Sequence, residues 1–245
     1  MHFNGDFHKF KCLQDFIAYK SMHNLVSNTS AIKAYFESMT LHSTGEHSLE
    51  EHTRKYLSDS IKEDIESSIN HFAGLTIIGL CTCFEVAAKD FFKAFFFTKP
   101  KSMHDYLEHK TMQGSVAFDD ITNSDSLNDL LAVLTDRAAS KATKGHFSEV
   151  MRRVSKVSKS QLDKEVSKSL DQLQKLRNKI AHEKHNQNWD VPRLEKFENV
   201  VGKGIEELCK AASSNDVPGS YTCINPPTLY VDDEGDVSML INIET

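Results

Sequence analysis

Apolar residues recur at spacings of three and four over most of this chain, the period of helices that bury one face. The clearest run comes after Ser160: Leu162, Val166, Leu170, Leu173, Leu176 and Ile180 make one stripe that closes at Ala181. Pro192 suits the first turn of a following helix, whose core positions are Leu194, Phe197, Val200, Val201, Ile205 and Leu208. Upstream, Ser60-Ile61-Lys62-Glu63 has the form of a capping box, in which serine and glutamate each satisfy a free backbone N–H of the first turn. It predicts the start of a long helix to about Phe97, stopped by Pro100. A polar connection from Lys101 to Asp125 leads to Ser126-Leu127-Asn128-Asp129, which starts a helix to about Ala139.

Before the long helix, residues 1–57 carry short amphipathic segments such as Phe10–Leu25 and Ala31–Met39, joined by the polar stretch Thr40–Glu50 and expected to pack on the main body. After Pro218-Gly219 and Pro226-Pro227 the period changes to two: Thr228–Val231 and Val237–Ile243 flank Asp232–Asp236 and read as a β-hairpin. The expected organisation is an N-terminal helical extension (1–57), a helical domain (58–214) and a tail with the hairpin (215–245).

Two local patterns carry further expectations. Phe91, Phe92, Phe95, Phe96 and Phe97 must point several ways around one helix, so one flank is expected to need a partner surface, which favours a dimer. The segment Ser140–Ser160, rich in Lys, Arg and Ser with Gly145 inside it, is expected to stay mobile in part until a ligand neutralises it.

Composition agrees with a mainly α fold: 39% apolar and 26% charged residues are ordinary for a globular chain, and only 10 Gly and 5 Pro leave little punctuation for turn-rich β architecture. Five cysteines form no zinc-knuckle or disulfide framework. The start has no basic region leading into an apolar one, so a cytoplasmic location with reduced thiols is expected. The longest uncharged apolar run, Ala73–Phe84, falls short of the roughly 18–20 residues that cross a bilayer, so a core helix and no membrane association are expected.

The net charge of −6 argues against a general nucleic-acid binder, but its distribution does not. From Arg137 to Lys184 there are 13 Lys and Arg against 5 Asp and Glu, a local +8, whereas the remainder carries 16 against 30. One electropositive face for a polyanion, or an ordinary solvated surface, fits this asymmetry.

The chemistry concentrates in Leu176-Arg177-Asn178-Lys179-Ile180-Ala181-His182-Glu183, where an Arg and a His are separated by four residues at the end of the striped helix. At 100° per residue Arg177 lies about 40° from the middle of the stripe, beside a packed surface, and His182 lies about 140° further round. An undistorted helix cannot aim both at one point. Either the last turn is deformed or two copies of the helix face each other.

Arg-Asn-x-Ile-Ala-His closing a long helix resembles the Arg-x4-6-His signature of the HEPN superfamily, over about eight residues and a helical context of roughly 130. The resemblance implies a HEPN-like antiparallel helical bundle, with the N-terminal helices and C-terminal hairpin as additions. It implies a metal-independent endoribonuclease without cofactor, acting on RNA at a homodimer cleft and leaving a 2′,3′-cyclic phosphate. Such proteins often serve as toxins or antiviral defence effectors, restrained by an antitoxin or other regulatory partner.

Histidine suits proton transfer near neutrality and arginine grips phosphate with two parallel bonds, so His182 and Arg177 take those roles. Asn178, one turn before His182, is expected to position the imidazole or bind ribose. Glu85, by resemblance to members with an acidic residue on the preceding long helix, is expected to orient Arg177. Lys179, Arg152 and Arg153 are expected to contact substrate. A catalytically inactive RNA-binding or dimerisation module is the alternative the same resemblance allows.

Other constellations fit less well. His182-Glu183-Lys184-His185 puts two residues between the histidines, one short of zincin spacing, so no metal site is expected. There is no Walker loop and no Gly-x-Ser-x-Gly elbow.

Overall fold

Asn4 turns its side-chain oxygen forward to accept from Phe7 N at 2.9 Å, and this cap starts helix α1 (Gly5–Val26) directly after the two-residue strand β1 (Phe3–Asn4). The computed structural model describes residues 1–28, 30, 32, 51–109, 112–113, 116–182, 188–222, 228–231 and 237–240, with backbone alone at 51–58, 108–109, 112–113, 228–231 and 237–240. Helix α2 (Glu51–Thr98) is followed by a 3-10 helix (Pro100–Tyr106), the short strands β2 (Glu108–His109) and β3 (Met112–Gln113), and α3 (Phe118–Thr122). Then come α4 (Leu127–Ala142), α5 (Phe147–Ser158), α6 (Lys164–His182), α7 (Val191–Ser213), β4 (Gly219–Ser220), β5 (Thr228–Val231) and β6 (Val237–Leu240).

The architecture is a mainly α antiparallel bundle around α2. Helix α1 runs against it, with His8 beside Asp90 at 3.2 Å, Asp15 accepting from the Cys83 thiol at 3.8 Å, and Tyr19 tilted on Phe72. Helix α6 runs antiparallel along another side, placed by Cys81 against Leu173 and Gly74 against Ile180. Helix α7 closes the remaining side, and the Gly204 backbone approaches Phe84 and Leu170 there. Strands β1 and β4 pair in parallel, and β5 and β6 form the expected antiparallel hairpin with Val231 opposite Val237.

The long helix does not start at residue 60. Ser60–Glu63 lies inside α2, because residues 51–59 contain no Gly or Pro to interrupt the helix and an interior serine has no orphan N–H to cap. The boundary expected after residue 57 therefore falls within one helix. The expected segment Ala31–Met39 and the linker Thr40–Glu50 lie outside the described residues, apart from Ile32. Pro100 ends α2 as expected, and the polar connection after it contains the 3-10 helix, the β2–β3 pair and α3.

The phenylalanine cluster is covered by the chain itself, which overturns the expectation of a partner there. Phe91, Phe92, Phe95 and Phe96 are fully buried and Phe97 is half-buried. Phe3 meets Phe91 edge-on at 5.9 Å and Tyr106 of the 3-10 helix packs on Phe96 at 5.3 Å. Each such ring contributes about 1.5–3 kcal/mol of burial, so this corner anchors β1 and the 3-10 helix. By length and composition residues Asp59–Thr98 could span a bilayer. The burial of these rings by neighbouring elements identifies α2 as the central helix of the bundle.

The basic stretch Ser140–Ser160 is also more ordered than its charge suggests. Within it α5 buries Phe147, Val150, Met151 and Val154, a three-four stripe interleaved with Lys and Arg. Gly145 turns the chain between α4 and α5 at φ 101°, a conformation that side chains disfavour.

Candidate active site

Helix α6 presents the candidate residues, and its C-terminal half is held from three sides. Asp171 accepts from Ser148 N and Ser148 Oγ, both at 2.8 Å, so it caps the start of α5, which has no cap of its own. Gln174 accepts from Phe147 N at 3.0 Å and donates to Gly145 O at 3.2 Å. The third hold is the close approach of Ile180 to Gly74, where an added Cβ would sit 3.2 Å from Ile180 Cγ2. After the helix, Trp189 N donates to Asn70 Oδ1 at 3.1 Å and its carbonyl accepts from Tyr19 Oη at 3.3 Å, which pins the return to α7.

Arg177 is ion-paired with Glu85 across the α2–α6 contact. Side chains lean toward their own helix N-terminus, so on antiparallel helices Arg177 leans back toward Leu173 while Glu85 leans back toward Cys81. Those two levels coincide, since the Cys81 thiol donates to Leu173 O at 3.9 Å. Cys81 is near enough to feel both charges. Its burial pushes the thiol up to about 12, with Arg177 pulling it down and Glu85 raising it.

The guanidinium is incompletely satisfied. Its Nη1 donates weakly to Asn178 Oδ1 at 3.3 Å, and its Nε is buried without a hydrogen-bond partner, a deficit of about 1–3 kcal/mol. The Arg177 side chain retains 25% exposure, enough for a ligand to reach its outer edge. It has the donors to hold an anionic oxygen in place of the carboxylate.

Asn178, Lys179 and His182 are all exposed. Asn178 touches Arg177, and no hydrogen bond joins it to His182 among the described residues. The last turn of α6 remains helical through His182, so within one chain the imidazole points about 140° away from Arg177. Glu85 and Asn178 meet Arg177, whereas His182 stands apart on the same helix end.

Arg152 and Arg153 lie on α5. Arg152 is exposed, and both arginines, with Lys156, lie near enough to Tyr106 to oppose the rise that burial gives its hydroxyl. Arg153 donates to Ala142 O at 3.0 Å and to Lys144 O, closing the end of α4, and pairs with Glu149 at 3.3 Å. It braces the turn on which Gln174 rests. Among the described residues no group of three or more His, Cys, Asp and Glu is placed to hold a metal ion.

Three supporting residues escape a reading of the motif alone. Cys81, Asp171 and Gln174 have no local signature, although the last two lie within two turns of Arg177 on its own helix. The family model described as RiboL-PSP-HEPN matches residues 12–213. No curated protein and no solved structure matches the chain.

Proposed function

The chain belongs to the RiboL-PSP-HEPN family, whose wider superfamily is generally nuclease-like, and from that premise we propose that it is a metal-independent endoribonuclease working at a homodimer cleft. One observation carries this reading. The end of α6 offers a partly exposed guanidinium and an imidazole that makes no hydrogen bond among the described residues, two groups that only a second copy can bring together.

The dimer face that fits is the outer side of α2 next to the Gly74–Ile180 contact. There Leu75 and Val86 are 49% and 47% exposed, with half-buried Ile78 and exposed Thr82 on the same ridge. Apolar side chains at 75, 78 and 86 flank Glu85, so pairing two copies along this ridge brings the two Arg177–Glu85 pairs to the seam, with each His182 at the helix end beside it.

In that cleft one His182 takes the proton from a ribose 2′-OH, and the 2′-oxygen attacks phosphorus. The bond from phosphorus to the 5′-oxygen breaks, and a second His182 protonates the leaving oxygen. Arg177 leaves Glu85 to bind the phosphate as charge builds on it. The products are a 2′,3′-cyclic phosphate and a 5′-hydroxyl. The setting is cytoplasmic, in toxin or antiviral defence, with an antitoxin or regulatory protein restraining the enzyme.

Incubation of the pure protein with total RNA in EDTA tests the reading. Degradation to cyclic-phosphate ends, lost in the Arg177→Ala/His182→Ala protein, supports it; undiminished cleavage by that variant removes the site from consideration. The existing Arg177–Glu85 pair favours a second reading, a catalytically inactive RNA-binding or dimerisation module, for which gel retardation without degradation is the expected result.

A further inference from the structure

Several cations outside α6 are neutralised by a neighbour. Lys9 pairs with Glu206, Lys89 and Lys93 with Asp136, Arg137 with Asp120, Lys156 with Asp105 and Lys210 with Glu207. On the outward face of α6 the cations are aligned. Lys164, Lys168, Lys175 and Lys179 fall within an arc of about 60° opposite the buried Val166–Leu170–Leu173 stripe, and the row ends on His182.

All four lysines are exposed, and Lys164, Lys175 and Lys179 have no carboxylate partner among the described residues. Lys168 reaches only Glu165, at 3.9 Å, with both side chains largely in solvent. Such a pair contributes little and yields readily to a stronger anion. Asp171, at the border of this face between Lys168 and Lys175, accepts both hydrogen bonds of Ser148 and pairs with no lysine among the described residues. The row is about 27 Å long, its four ammonium groups outnumbering the carboxylates of Glu165 and Asp171 beside it by two.

We propose, resting on the reading of this chain as an RNA-directed protein, that Lys164, Lys168 and Lys175 form a docking track for the backbone of single-stranded RNA that feeds the strand toward His182. A line of ammonium groups on a straight helix offers positive charge without base-reading groups, so it binds phosphates irrespective of sequence. Its length suits the short end of the range of about 4–16 nucleotides typical of single-strand sites. Arg177 and the apolar ridge of α2 face away from this row, so a dimer joined along that ridge leaves the lysines open.

The test measures binding of a fluorescein-labelled 12-nucleotide single-stranded RNA by anisotropy, with His182→Ala present so that the probe survives. The Lys164→Gln/Lys168→Gln/Lys175→Gln protein is expected to bind at least tenfold more weakly at moderate salt. Its plot of log Kd against log salt should be shallower by about 2, the share of three phosphate contacts on a single strand. The charge-matched Lys62→Gln/Lys196→Gln/Lys203→Gln protein should keep both affinity and slope. An unchanged slope in the first variant overturns the track, as does equal weakening in the control, or binding to phosphatidylserine vesicles but not to RNA. RNA held on the lysines by a protein that never cleaves it leaves the track standing and removes the nuclease reading. Cleavage and binding that ignore the three lysines do the reverse.

Discussion

Ser148 donates twice to Asp171, through its backbone N–H and its hydroxyl, at 2.8 Å each. A residue of α6 thereby supplies the cap that α5 lacks in its own sequence. Asp171→Ala is expected to lower stability by about 1–2 kcal/mol, read as a shift of the urea midpoint. An unchanged midpoint would show that solvent caps α5 equally well.

Arg177→Ala should reduce RNA cleavage by about 10²–10³-fold, the usual loss when one donor to a developing oxyanion is removed. Because its pair with Glu85 is partly exposed, the fold should lose only about 1 kcal/mol or less. Cleavage rate and thermal midpoint measured together separate the two effects. A large drop in midpoint with proportionate activity loss would make the arginine structural.

Glu198 is half-buried beside Cys12, and burial raises its carboxyl above the ordinary 4.5, with Glu195 and Glu206 adding to the rise and Lys9 opposing it. A raised folded-state value means that the folded chain holds this proton more tightly than the unfolded one. Stability contributed by the protonated form is complete below 4.5 and is lost as pH rises through the folded value. Glu198→Gln should therefore stabilise the protein at neutral pH and have little effect in acid. Urea unfolding of both proteins at pH 4 and pH 7 checks the sign, and a larger gain at pH 4 would contradict it.

Gly5 leaves no room for a side chain: a Cβ there would come within 2.1 Å of the Cys209 sulfur. Gly5→Ala should cost about 2 kcal/mol from overpacking, and adding Cys209→Ala should restore much of it. Thermal melts of the two single variants and the double variant test the coupling; strictly additive losses would place the strain elsewhere.

Cys83, half-buried and held near Asp15, has its thiol pushed up to about 11, by burial first. At pH 8 its thiolate fraction is about a hundredfold below that of a cysteine at the ordinary 9.0. Iodoacetamide should accordingly modify the folded protein slowly at Cys83 and react freely once urea is added. Peptide mass mapping reads the site directly, and rapid native labelling there would count against the packing of α1 on α2.

Much of the bundle is visible in the chain's own periodicity. Val166, Leu170 and Leu173 are buried where the stripe puts them, and Asp190 and Pro192 open α7 with Leu194 inside. Local pattern fails where distant segments decide the outcome. Nothing near Phe91–Phe97 announces that Phe3 and Tyr106 will cover those rings. The stripe of α5 is masked by the lysines and arginines between its apolar positions, whose long stems lie along the surface while the core faces inward. At the candidate site, the approach of Glu85 to Arg177 follows from the resemblance, whereas Asn178 turns to Arg177 because the two side chains adjoin at the helix edge. The Cys81 thiol beneath them is invisible until two helices are laid side by side.

The pairing of α1 with α7 sets when this molecule can mature during translation. Lys9 with Glu206, Cys12 with Glu198 and Tyr19 with Trp189 join positions separated by 170 residues or more, and Phe3 is sealed by a strand at 219. A nascent chain still threaded through the ribosome at residue 182 carries every candidate catalytic group but lacks the wall against which its first helix must rest. The first helix thus waits for α7 to emerge before it can take its native place, so this bundle closes only when its two most distant helices meet.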